Sequence, residues 1–287
     1  MQTCQKSNMG SLDPKTLFSD AKNVFVDENT DGNELVGEYI LLDGVKEAYK
    51  RVTASLQKPL KIILLYGEPG SGKTAMLRRL YANLKDSDKN VLYYPIPTFA
   101  KINELKRVLA EYSNLTPMGD PTFYEIMELF KEKFEKESFI ILLDEAQLYN
   151  DIEMEYIRLL SDTKIFKFLI ALHKISDEHL TAKSHFQSRI WEQIELIPLS
   201  MEEFRFFIER KLIGQNLNHI ISMLPQKAYK MIHGFTRGNI REGMKFLYRL
   251  FDFYEFLEKE RPSDVDYKKI KIRHIEMVAI DGNYINV

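Results

Sequence analysis

Up to about residue 199 the apolar residues of this chain follow two alternating rhythms, and beyond it a single one. Short uninterrupted runs, Ile62 to Tyr66 and Phe139 to Leu143 among them, predict strands buried on both faces, as in a parallel sheet. Strands are expected at 60–66, 91–96, 138–143, 166–172 and 193–198, with helices near 73–85, 101–113, 122–136, 146–161 and 184–190 in the intervals. A helix over 43–56 precedes them, with Val45, Ala48, Tyr49, Val52 and Leu56 on one face and Asp43 placed to cap it. Strand and helix in alternation predict an α/β fold: a parallel sheet with helices on both faces.

From Ser200 onward the spacing is helical throughout, over 200–213, 216–223, 225–233, 238–259 and 272–279. Pro198 to Ser200 is the expected boundary. Residues 1–35, rich in Asp, Asn, Ser and Gly, carry no sustained period and read as a loosely ordered extension with one helical turn around Leu17. The expected organisation is an extension over 1–35, an α/β domain over 36–199 and a small all-helical domain over 200–287.

The first strand runs into Gly67-Glu-Pro-Gly-Ser-Gly-Lys-Thr74, where a helical pattern opens. Glycines at 67, 70 and 72 allow successive backbone N–H groups to turn inward on phosphate oxygens, and a helix N-terminus adds its positive dipole end. Gly67, Glu68, Pro69, Gly70, Ser71, Gly72, Lys73, Thr74 and Ala75 are therefore the expected phosphate cradle. Within it Lys73 reaches the β and γ phosphates, and the Thr74 hydroxyl is the expected ligand of Mg²⁺.

Phe139 to Leu143 ends in Asp144-Glu145, and carboxylates at the carboxyl end of such a strand fall beside the phosphate loop. Asp144 is the expected Mg²⁺ partner and Glu145 the group that polarises the attacking water. The pair favours hydrolysis of nucleotide. Val36 and Gly37, just before the first helix, are candidate neighbours of an adenine.

Composition narrows the class. A chain of 287 residues, 45% hydrophobic and 29% charged, is enough for one large α/β domain and a smaller helical one. Its single cysteine, Cys4, permits no disulfide within the chain and no Cys-based metal site, in keeping with a reducing cytosol. No apolar stretch approaches the roughly 20 residues needed to span a bilayer, so a cytoplasmic protein is expected, peripheral at a membrane through a partner at most.

The net charge of −2 hides an asymmetry: 15 Lys and Arg against 8 Asp and Glu between Arg205 and Arg273. That excess reads as a solvated helical surface with some arginines facing nucleotide, or as a contact for nucleic acid or anionic lipid. Six aromatics, Phe246, Tyr248, Phe251, Phe253, Tyr254 and Phe256, exceed what one core-facing stripe of a helix needs.

With these motifs the chain resembles AAA+ ATPases, and within them the ExeA/GspA/MshM-type group linked with type II secretion, type IV pili and competence, over roughly residues 36–280. Beyond the two nucleotide motifs, the likeness rests on Phe186-Gln-Ser-Arg-Ile190 followed by Ile194 to Leu199 and Ser200-Met-Glu-Glu-Phe204. It rests also on Gly234-Phe-Thr-Arg-Gly-Asn-Ile-Arg241, similar to a passage opening a lid helix, and on Ile270 to Ala279.

The resemblance implies ATP as nucleotide, a homo-oligomer with ATP at subunit interfaces, and an inner-membrane secretion, pilus or competence assembly as partner. It implies Arg189 as an arginine finger serving a neighbouring subunit, Arg241 as a phosphate sensor on the lid, and His173 at the sensor position closing the fourth strand. His173 departs from the small polar residue or Gln usual there, and Asn239-Ile240 stands where the passage prefers proline. The transmembrane helix and periplasmic domain of longer members have no counterpart in these residues, so a cell-wall role is not expected. The alternatives are a DNA-directed AAA+ ATPase, like transposition regulators or replication loaders, and a nucleotide-gated switch.

Overall fold

Strands with no polar alternation must be covered on both faces, and here they are. A computed structural model describes residues 17–26, 40, 42–86, 89–174 and 188–285. It divides into two units: Leu35–Pro198, and Leu199 onward joined by the amino-terminal helix.

In the first unit β1 (Ile62–Gly67), β2 (Asn90–Tyr94), β3 (Phe139–Leu143), β4 (Phe166–His173) and β5 (Ile190–Leu196) form one sheet in the order β2-β3-β4-β1-β5. Every pairing is parallel. Side-chain alternation along β3 divides its residues between two cores. Phe139, Ile141 and Leu143 pack with Leu105, Phe130 and Ile157 from α4 (Ile102–Ser113), α5 (Phe123–Lys133) and α6 (Asp151–Asp162). Ile140 and Leu142 pack with Val52, Met76 and Leu80 from α2 (Asp43–Gln57) and α3 (Lys73–Leu84).

Local chemistry sets the helix starts. Thr122 with Glu125 and Asn150 with Glu153 form capping boxes at α5 and α6. The helix expected over 146–161 is thereby split: a 3-10 turn occupies Ala146–Leu148, and Asn150 starts α6 afresh. Asp43 does not cap α2. Leu42 holds that position without a side-chain bond, and Asp43 is the first helical residue, where its charge still meets the positive end of the dipole. Of the helix expected at 184–190, residues 184–187 lie outside the described residues, and β5 opens at Ile190, three residues earlier than its apolar pattern suggests.

The second unit comprises α7 (Met201–Gly214), α8 (Asn218–Met223), α9 (Gln226–Thr236), α10 (Ile240–Glu260) and α11 (Ile272–Asp281), with a 3-10 turn at Pro262–Asp264. The turn of helix expected around Leu17 is α1 (Leu17–Asn23), and it packs on α10. Phe18 is fully buried, its ring centroid 4.9 Å from that of Tyr254 and 6.5 Å from that of Phe251, while Phe25 lies 5.8 Å from Phe251. The aromatic excess of α10 is thus largely absorbed. Phe251 and Tyr254 meet α1, Phe246 meets Phe235 and Tyr284, and Phe253 meets His274 on α11. Phe256 stays exposed.

Lys22 of α1 clasps α10 through Asp252 at 2.9 Å and Glu255 at 2.6 Å. Lys22, then Lys259, holds the Glu255 carboxyl below the usual carboxylate range. A depressed folded pKa contributes stability that is full above the unfolded value and lost as pH falls through the folded one. Lys22→Ala is therefore expected to cost no more than about 1 kcal/mol near neutrality, the pair being partly solvated. The gap from wild type in urea unfolding should close as the pH falls into the carboxylate range.

Candidate nucleotide site

The phosphate loop is built as a cradle. Gly70 and Gly72 take φ of 82° and 95°, a region side chains rarely enter, and α3 starts at Gly72 with no side-chain cap. Its N-cap glycine has no side chain to offer the first N–H groups, in contrast to the boxed starts of α5 and α6, and a helix start of this kind can receive an anion. A side chain at Gly67 would place its Cβ 2.6 Å from the Leu196 carbonyl oxygen and 2.9 Å from Ser71 Oγ, so glycine alone fits where β1 meets β5. Lys73 is 6% exposed, its ammonium donating to the carbonyls of Gly67 at 2.9 Å and Glu68 at 3.0 Å, and so lies folded back along the loop it serves.

Asp144 closes β3 at 2% exposure. Burial pushes its carboxyl up, opposed by a hydrogen bond from the Thr74 side chain, by the Glu145 N–H at 3.0 Å and by the charge of Lys73. The Tyr93 hydroxyl donates to its second oxygen at 3.4 Å, and burial, then the Asp144 charge, pushes Tyr93 up to about 12. Asp144, Thr74 and Lys73 are thus brought together. A carboxyl with a raised folded pKa binds its proton more readily in the native state, so stability rises as pH falls toward that value. Asp144→Asn is accordingly expected to raise the unfolding temperature of the nucleotide-free chain at neutral pH by a few degrees and to flatten its dependence on pH across the carboxylate range.

The residues fit a magnesium nucleotide. Ser71 Oγ is buried in the loop with no hydrogen-bond partner among the described residues, and Asp144 is a buried carboxylate beside a hydroxyl and an ammonium. Among the described residues no group of three or more His, Cys, Asp or Glu could hold a metal ion by itself. Mg²⁺ takes one or two protein ligands and completes its shell with water and phosphate oxygens.

Glu145 differs from its neighbour. It holds φ 50° and ψ 38°, a left-handed conformation uncommon for a residue with a side chain, and its side chain is 37% exposed. The 3-10 turn folds Gln147 back so that its amide donates to Glu145 Oε2. Because β4 lies between β1 and β3, its last residue, His173, is level with Gly67 on one side and has Nε2 3.4 Å from Glu145 Oε2 on the other. Gln147 and Tyr93 are contacts that motif reading passes over. Gln147 was detectable two places beyond Glu145, whereas nothing in spacing marks Tyr93.

Arg189 stands in the turn that opens β5, pairing with Asp162 at 3.2 Å, while Leu196 at the other end of β5 lies against Gly67. Seven residues at about 3.3 Å each put Arg189 roughly 20 Å from its own phosphate loop. Arg241 is an exposed residue in the first turn of α10, in the helical unit. Asn239, standing where proline was expected, caps that helix by accepting from the Glu242 N–H at 3.2 Å. Val36 and Gly37 lie outside the described residues.

Residues 57–178 match the family model for an AAA domain. Among solved structures, the chain is similar to the Orc1 protein of Aeropyrum pernix in complex with DNA, at 15% identity, with a TM-score of 0.55 over 91% of this chain and 69% of that one. It is similar to Cdc6p of Pyrobaculum aerophilum at 17% identity, with a TM-score of 0.56 over 83% and 66%. It is also similar to the ORC2 protein of Aeropyrum pernix, solved as ADPNP–ADP complexes, at 14% identity and 0.50 over 89% and 70%. At these identities the likeness is one of fold. Parallel five-stranded sheet, phosphate loop and matched AAA domain together make this the P-loop AAA+ fold.

Proposed function

We propose that this chain binds ATP with Mg²⁺ and hydrolyses it. The observation that carries the reading is the division of labour at the end of β3: Asp144 buried beside Thr74 and Lys73, Glu145 turned outward beside His173 and Gln147. Backbone N–H groups of the loop and the Lys73 ammonium bind and orient the phosphates, and Thr74 with Asp144 would hold the metal. Bound Mg²⁺ supplies neutralisation of charge on the phosphate oxygens. Glu145 accepts the proton of the attacking water, and His173 and Gln147 hold its carboxylate in place.

Arg189 is proposed to act in trans, exchanging Asp162 for the γ-phosphate of a neighbouring copy, since its own loop is out of reach. Arg241 is proposed to sense the same phosphate from the helical domain. A mixing experiment tests the trans assignment. Lys73→Ala chains supply Arg189 but cannot use ATP, and Arg189→Ala chains do the reverse, so each alone should be nearly inactive and the mixture active. A mixture no faster than its parts sinks the assignment.

The target is proposed to be a protein assembly of secretion, pilus or DNA-uptake type, on the resemblance of the passages around Arg189 and Arg241. Fold is shared across unrelated tasks, so the target rests on those passages and not on the sheet. A DNA-directed role is the second reading, favoured by the excess of 15 basic over 8 acidic residues between Arg205 and Arg273 and by likeness to a protein solved with DNA. Among the described residues no helix is long and apolar enough to cross a membrane. Affinity capture with Glu145→Gln in ATP and Mg²⁺, against Lys73→Ala, separates the two. Recovery of envelope components supports the first. Recovery of DNA, with turnover stimulated by DNA and lost at raised salt, supports the second.

A further inference from the structure

The phosphate loop occupies the carboxyl end of the sheet. At the opposite end, where β1, β3 and β4 begin, a cavity of about 280 Å³ is lined by Lys61, Lys136, Lys164 and Lys167, with Glu137 among them. Three backbone bonds lock its walls: Glu137 N–H to the Lys164 carbonyl at 2.7 Å, Phe139 to Ile165 at 3.1 Å and Phe168 to Lys61 at 2.9 Å. The pocket opens to solvent, and its walls are tied into the sheet frame.

The four ammonium groups are not equivalent. Lys167 is 2% exposed and donates to the carbonyls of Leu56 at 2.7 Å and Lys58 at 2.6 Å, closing the last turn of α2. Lys61 pairs with Asp162 at 2.6 Å. Glu137, the carboxylate of the lining, is already shared by Lys89 at 3.0 Å and Lys167 at 3.4 Å. Helix ends nearby account for Lys167, since the carboxyl ends of helices attract cations. Lys136 and Lys164 likewise lie three and two residues past the carboxyl ends of α5 and α6. Both are exposed, and among the described residues neither ammonium has an acidic or carbonyl partner within bonding distance. With Lys61 committed to Asp162 and Lys167 to Glu137 and two carbonyls, Lys136 and Lys164 are left as two exposed charges of the lining that a seated anion would neutralise.

We propose that this cavity is a second anion site, taking the phosphate or diphosphate group of a small molecule, with Lys136 and Lys164 closing on its oxygens beside Lys61. Leu60 and Phe166 give the cavity an apolar wall, which suits a compact organic phosphate better than the running backbone of a nucleic acid. The site is separate from the phosphate loop and stands whether or not the chain hydrolyses ATP.

The test uses the full chain carrying Lys73→Ala, which weakens binding at the phosphate loop, and pyrophosphate as the probe in calorimetry. One binding event per chain is expected. Adding Lys136→Gln and Lys164→Gln should weaken it at least about tenfold, because both charge-assisted hydrogen bonds to the anion are lost. Both lysines are exposed, and an unchanged unfolding temperature would show that the Gln variants are folded. No heat at millimolar pyrophosphate overturns the proposal, as does binding that the two Gln substitutions leave intact. Displacement of pyrophosphate by a single-stranded oligonucleotide at lower concentration would overturn the small-molecule assignment in favour of a nucleic-acid backbone.

Discussion

Glu145→Gln is expected to retain ATP and to release phosphate at least about tenfold more slowly than wild type, a general base being worth about 10²–10⁴ in rate. The side chain is exposed and its backbone is already left-handed, so an isosteric amide leaves the turn and the cradle unchanged. What is lost is the capacity to take a proton from water. The contacts refine the expectation. Gln147 donates to the carboxylate and His173 lies 3.4 Å from it, so in the proposed mechanism both position it. His173→Ala should then lower turnover less than Glu145→Gln does and leave ATP affinity nearly unchanged. Equal turnover by Glu145→Gln and wild type would remove Glu145 from the mechanism.

Lys73→Ala is expected to weaken ATP binding by about 10- to 100-fold, the range of one charged hydrogen bond to phosphate, and to abolish measurable hydrolysis. The ammonium braces the loop through the Gly67 and Glu68 carbonyls, so the substitution also loosens the cradle it serves. Protection by ATP in thermal unfolding, which grows with ligand concentration over Kd, reports the loss directly. Retained protection in Lys73→Ala would place the nucleotide elsewhere.

The parts of this molecule legible in sequence are those where short-range physics decides. Phe139 to Leu143 reads as a strand covered on both faces and forms one, and the glycine spacing of the phosphate loop reads as a tight wrap, in which Gly70 and Gly72 take positive φ. The split at Asn150 was legible too, because Asn150 and Glu153 spell a capping box, yet the apolar period running through 146–161 masked it. Long-range pairing was not legible. Nothing in the amino-terminal stretch says that Phe18 and Lys22 meet α10, since that contact depends on chain more than 200 residues away. The surplus aromatics of α10 signalled that something covers them without saying what. Position within the sheet is similar. His173 follows from the length of its strand, but its place between Gly67 and Glu145 follows from strand order, which periodicity does not contain.

The same limit separates chemistry from task. Asp144, Glu145, Lys73 and Thr74 argue for nucleotide chemistry from their own contacts. The roles proposed for Arg189 and Arg241 are read from resemblance.

The most direct measurement is phosphate release from ATP by the wild-type chain, with Mg²⁺ and with the metal chelated, at several protein concentrations. The proposed mechanism predicts release that requires Mg²⁺ and rises per chain with protein concentration, as the Arg189 of one copy reaches the nucleotide of the next. ATP bound tightly with Mg²⁺ but released unhydrolysed, no faster than in Glu145→Gln, would contradict it and make the chain a nucleotide-gated switch.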